Sequence, residues 1–163
     1  MNQRHAEIST PQNIASEIPL LEAGARLTQI VDRFINAVRD PVFPKVQSLQ
    51  QFGIKGISVL SSDEGRDIEC LGAGYQFVRR FLRFEKSNCL GVELGVVGVG
   101  QKPDIENARV RIYIRADEQV MIVSMDRDFS RSVATAEGMD AAAAAFLSVL
   151  GNDAVARLPK API

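Results

Sequence analysis

The chain has 163 residues, 46% of them hydrophobic and 24% charged, with a formal net charge of −1. That length suits one domain able to bury roughly two-thirds of the surface its unfolded chain exposes, and the composition is neither disordered nor fibrous. Near-neutrality removes any whole-molecule attraction to nucleic acid or an anionic membrane and leaves only local patches to consider.

The cations are 14 arginines and 5 lysines, and arginine presents a fork suited to carboxylate or phosphate. Cys70 and Cys89 lie within apolar runs and cannot make a disulfide framework, so a reducing, cytoplasmic setting is expected. The first ten residues include Arg4, His5 and Glu7 without an apolar segment, which reads as neither secretory signal nor anchor. No run of the sequence approaches the roughly 18 consecutive apolar residues of a membrane helix, so no membrane partner is expected.

In chain order, residues 1–15 read as a flexible arm, 16–151 as a single α+β domain and 152–163 as a tail. Ser16 is a plausible N-cap with Pro19 in the first turn. Leu20, Leu27, Val31, Phe34 and Val38 recur at helical spacing, and Asp40-Pro41 stops the run because a residue before proline avoids the helical region. Val42, Phe43, Val46, Leu49 and Phe52 predict a second, shorter helix closed by Gly53. Residues 54–60 and 66–71 read as strands joined through the turn residues 61–65.

Over 75–86 the pattern predicts an amphipathic helix. Tyr75, Phe77, Val78, Phe81, Leu82 and Phe84 fill one arc, and Gln76, Arg79, Arg80, Arg83 and Lys86 gather opposite. Residues 90–99 form a glycine-punctuated strand. In 108–125 a hairpin is expected, with Val110, Ile112 and Ile114 alternating against Arg109, Arg111, Tyr113 and Arg115. Met121, Val123 and Met125 should continue the apolar face after the turn at 116–118. A strand over 129–135 and an alanine-rich helix over 139–150 follow, with Phe146, Leu147 and Leu150 inward and Gly151 as the stop. The expected architecture is an antiparallel sheet of five or six strands flanked by two N-terminal helices, an inserted amphipathic helix and a C-terminal helix.

Catalytic chemistry has few candidates. The sole histidine, His5, lies in the arm, which argues against a Ser-His-Asp or Cys-His pair, and two distant cysteines do not make a zinc set. No catalytic residue, metal ligand or cofactor is therefore expected. Asp126-Arg127-Asp128 has a spacing that could hold magnesium, but it also suits a solvated turn between strands. The stretch 95–102, G-V-V-G-V-G-Q-K, is not a phosphate-binding loop, because Gln101 stands where lysine should follow the glycine.

Two constellations remain. A strand ending in Gly72-Ala73-Gly74, followed by the expected helix, could place a phosphate at a helix N-terminus, with Glu93 accepting ribose hydroxyls; this is a nucleotide or S-adenosylmethionine reading. Arg79, Arg80 and Arg83 on the helix, and Arg109, Arg111, Tyr113 and Arg115 on the strand, could bind nucleic acid or a phosphate ligand. The leading expectation is neither of these. It is a non-enzymatic binding or adaptor module, homodimeric and acting on another protein, because the patterned core comes without a catalytic constellation.

Overall fold

The computed structural model describes residues 11–39, 57–59, 67–123 and 129–163. Helix α1 spans Pro11–Arg39, and strands β1 (Ile57–Val59), β2 (Ile68–Cys70), β3 (Ala73–Phe84), β4 (Cys89–Gly98), β5 (Val110–Arg115), β6 (Gln119–Ile122) and β7 (Phe129–Ser132) precede helix α2 (Ala136–Ala156). The seven strands lie in sequence order, each antiparallel to the next. The fold is thus α+β. The second N-terminal helix expected over 42–52 lies outside the described residues, as do His5, residues 61–65, Met125 and Asp126-Arg127-Asp128.

Both helices cover one sheet face. Leu27, Ile30, Val31, Phe34 and Val38 of α1 are buried at helical spacing, and they meet Val92, Leu94 and Val96 of β4 and Val110, Ile112 and Ile114 of β5 in one core. From α2, Ala142, Ala143, Phe146, Leu147, Leu150 and Ala154 enter the same core. The Phe34 and Phe146 rings meet edge to face at 5.7 Å. Thr135 caps α2 by accepting the Gly138 amide at 3.0 Å, which satisfies one of the four amides a helix start leaves open. By length and composition α2 could cross a bilayer, yet 50% of that window is buried inside the protein.

Four expectations are corrected. Residues 75–86 do not form a helix: 75–84 belong to the 12-residue strand β3, which pairs with β4 from Tyr75↔Gly98 to Phe84↔Cys89. Each face of β3 mixes arginine with aromatics because both faces are only partly covered, and that mixture imitates a helical arc. In β6 the buried residues are Val120 and Ile122, while Met121 is half-buried and Val123 exposed. The register Ile114↔Val120 follows from a three-residue connection in which Glu118 donates to the Arg115 carbonyl at 3.1 Å and takes φ +64°. Glycine usually marks that left-handed position, and glutamate hides it.

At the termini, α1 already begins at Pro11, where the sequence suggested an arm. Helix α2 runs from Ala136 through the buried Gly151 to Ala156 rather than stopping at 150. A glycine inside a helix costs only about 1 kcal/mol, which a packed face offsets.

Candidate functional site

The G-x-G segment serves a hairpin. Leu71 and Gly72, at φ +52° and +81°, form the two-residue turn between β2 and β3, with Cys70 opposite Ala73. Two successive left-handed residues give the turn whose twist matches paired strands. Gly74 lies within β3 opposite Glu69, and no helix N-terminus follows it. Glu93 pairs with Arg80 farther along β3. Gly72 and Gly74 are therefore near one end of the sheet while Glu93 is at its middle, roughly 20 Å away by strand rise. β2 and β4 do not pair, because β3 lies between them. The geometry that motivated a nucleotide site is absent.

The arginines divide between faces. On the face away from the helices, Glu93 is 2% exposed and takes Arg80 through Nε at 3.0 Å and through Nη2, with Arg111 Nη1 at 3.5 Å. Arg80 also reaches Glu106 at 3.0 Å, and Arg111 donates to the Glu106 carbonyl at 3.2 Å. The hydrogen bonds that Arg80 donates to Glu93 are the main cause that raises its guanidinium above the ordinary value. Glu93 is thus an ion-paired centre of the sheet. Arg115 pairs with Asp117 at 2.8 Å and stands 5.9 Å over the Phe84 ring, which itself meets Tyr113 edge-on at 6.2 Å.

Arg79, Phe81 and Arg83 face the other way and lead to an open edge. Val99 donates to the Gly74 carbonyl at 3.0 Å, so the alternation of an antiparallel ladder turns the main-chain groups of Gln76, Val78, Arg80, Leu82 and Phe84 toward β4. Those of the odd-numbered residues point away. Asp67 uses two of them, donating its amide to the Tyr75 carbonyl at 2.9 Å and accepting the Phe77 amide at 2.8 Å. Beyond Phe77, the outward groups of Arg79, Phe81 and Arg83 meet no strand among the described residues, since β2 reaches only as far as Tyr75. The Phe81 side chain is 54% exposed beside them.

A second feature lies at the rim of the sheet, where the connection from β4 to β5 meets the end of α2. Gln101, Lys102, Asn107, Arg109 and Arg157 line a cleft of about 440 Å³. The connection is held by its own bonds: Gln101 donates to Gly98 at 3.1 Å across a turn with Gly100 at φ +95°, and Asn107 Nδ2 donates to the Lys102 carbonyl at 3.1 Å. Arg157 forks onto Asp153 at 2.8 and 3.2 Å. Burial pushes the Asp153 carboxyl up, while Arg109 pulls it down. Among the described residues, the side-chain atoms buried without a hydrogen-bond partner include Nη1 of Arg109 and the Tyr75 hydroxyl, and also Nε of Arg115 elsewhere on the sheet.

Sequence reasoning placed Arg109 in a candidate site but missed Gln101, Lys102, Asn107 and Arg157. The only available signal was the glycine-rich stretch 95–102, which does supply two cleft residues although it is not a phosphate-binding loop. Burial pushes the Cys70 thiol up, so thiolate is scarce near neutrality. Among the described residues no three of His, Cys, Asp and Glu gather as metal ligands.

Tyr75 gives a pH test. Burial raises its hydroxyl, Asp153 and Cys70 add to the rise and Arg109 opposes it. A raised acid favours the folded state fully below the ordinary tyrosine value of about 10 and loses that contribution as pH climbs through the folded value. Tyr75→Phe is expected to be neutral or stabilising by about 1 kcal/mol at pH 7, because it removes a buried unpaired hydroxyl. It should also flatten the alkaline loss of stability. Denaturant titrations at neutral pH and above pH ~10 check this, and parallel pH curves for the two proteins would exclude Tyr75 as the group.

No protein-family model matches the chain, and no curated protein or solved structure matches it at a significant level.

Proposed function

We propose that the protein is a non-enzymatic binding or adaptor module that captures an extended segment of another protein on the open edge of β3. The supporting observation is the alternation at Arg79, Phe81 and Arg83, whose outward main-chain groups offer a ladder that an added strand can complete. Phe81 supplies an exposed apolar anchor on that edge. Arg79 meets Asp32 only at 3.5 Å in solvent, a pairing that contributes little. The segment that fits is therefore apolar at its centre and acidic on either side.

The same charges oppose self-association here. An antiparallel pairing of two copies centred on Phe81 would set Arg79 against Arg83 of the partner subunit, and like charges directly opposite destabilise a sheet. The homodimer expected from the sequence would have to use another surface. Short extended peptides with a central Val or Leu and Glu two residues to either side of it, so that all three side chains share one face, test the edge directly. Phe81→Pro removes no bond to β4, since the Phe81 amide points outward, so folding should survive while peptide affinity falls tenfold or more. Unchanged affinity in a folded Phe81→Pro protein would exclude this edge.

A further inference from the structure

We propose that the rim cleft between the β4–β5 connection and the end of α2 binds the phosphate group of a small phosphomonoester. The lining brings together Lys102, Arg109 and Arg157, and no carboxylate lines the cleft. Asp153 offsets one positive charge through the Arg157 fork, so two remain. A phosphomonoester carries close to two negative charges at neutral pH, with three acceptor oxygens. The charge and the donor supply match.

Arg109 lines the cleft, while its Nη1 is turned away from solvent without an acceptor. A phosphate oxygen would reach that nitrogen only by drawing the guanidinium outward, which would exchange an unsatisfied donor for a forked, charge-assisted pair. Lys102, exposed on the bonded connection, supplies a mobile point charge, and the side-chain amide of Gln101 adds a neutral donor. The carbonyl end of α2 opposes an anion, so the cations and not the helix dipole supply the attraction. A volume of about 440 Å³ suits a small molecule. Arg80, Arg111 and Arg115 elsewhere on the sheet are each paired with a carboxylate, whereas no carboxylate lines this cleft.

The cleft is separate from the β3 edge, so the two readings fail independently. The test titrates the whole chain with inorganic phosphate, glycerol phosphate and succinate at constant ionic strength, following thermal stability and heats of binding. Saturable binding of both phosphates is expected, with succinate at least tenfold weaker. Lys102→Ala should weaken phosphate about tenfold, and Arg109→Ala more, by the loss of charge-assisted bonds. Arg109→Lys should not restore it, because the fork is lost. Arg83→Ala, on the distant edge, should stay within about twofold, the level of a screened surface charge. Lys102 is exposed, so its substitution reports on the cleft even if Arg109→Ala fails to fold. The proposal is overturned by the absence of saturable phosphate binding, by succinate binding equally well, or by equal losses in Lys102→Ala and Arg83→Ala.

Discussion

Phe146→Ala is expected to cost about 3 to 5 kcal/mol, the range for truncating a buried aromatic whose surroundings cannot collapse. Phe146 is completely buried. Its ring is met edge-on by Phe34 of α1 and stacked at 6.0 Å by Phe77 of β3, so three separate elements rest on one side chain. Ala142 and Ala143, one turn before it in α2, are already small and buried, so that turn has no side chain long enough to fill the void. Chemical denaturation gives the loss directly. A double-mutant cycle with Phe77→Ala adds a finer check: stacked aromatics should couple by about 0.5 to 1.5 kcal/mol beyond area burial. Additive losses would show that Phe77 does not face α2, and would reopen the assignment of β3.

That cycle bears on the one large error of sequence reading. The stripe of α1 was legible because Leu27, Val31, Phe34 and Val38 all face one core. β5 was legible for the same reason, since Val110, Ile112 and Ile114 are buried on one face and the intervening residues are not. β3 has no such contrast. Its helix side carries Tyr75, Phe77, Arg79 and Phe81, of which the first is buried and the last exposed, because helix cover gives out along the strand. Periodicity reports a face only where burial is uniform along it. The β6 register failed for a local reason, with Glu118 holding a position that glycine normally announces.

The candidate sites follow the same physics. Glu93 could be singled out from its sequence neighbourhood, but its partners Arg80 and Arg111 come from two other strands. Only the pairing of β3 with β4 and of β4 with β5 turns a suspected ribose ligand into an ion-paired centre. The rim cleft depends still more on tertiary structure, since Lys102 and Arg157 are brought together by the length of α2. Had that helix ended at 150, as Gly151 suggested, Arg157 would belong to the tail rather than the cleft. Among the described residues, the β3 edge is left open because β2 spans Ile68–Cys70 beside a partner of 12 residues.

A paired glycine substitution should give opposite signs. In a free helix Gly→Ala stabilises by about 1 kcal/mol, because alanine loses less backbone entropy and adds no polar group. Gly24, within α1, has room for the change: a Cβ there would lie 3.7 Å from Leu90 Cδ2, an ordinary contact. Gly24→Ala is expected to raise stability by up to about 1 kcal/mol. Gly138 sits in the first turn of α2, where the chain doubles back so sharply from β7 that a Cβ would overlap the Ser132 carbonyl oxygen and approach its carbon to 3.2 Å. Backbone cannot swing aside as a side chain can. The same residue donates its amide to Thr135, so any shift that relieves the overlap also loosens the cap. Gly138→Ala is therefore expected to lose about 2 kcal/mol net, the overpacking cost exceeding the propensity gain, and Gly138→Val should lose more. Equilibrium unfolding of the two alanine variants settles the matter: a gain at both positions would mean that α2 does not start hard against the end of β7, and a loss at both would mean that Leu90 presses on α1 more closely than 3.7 Å allows.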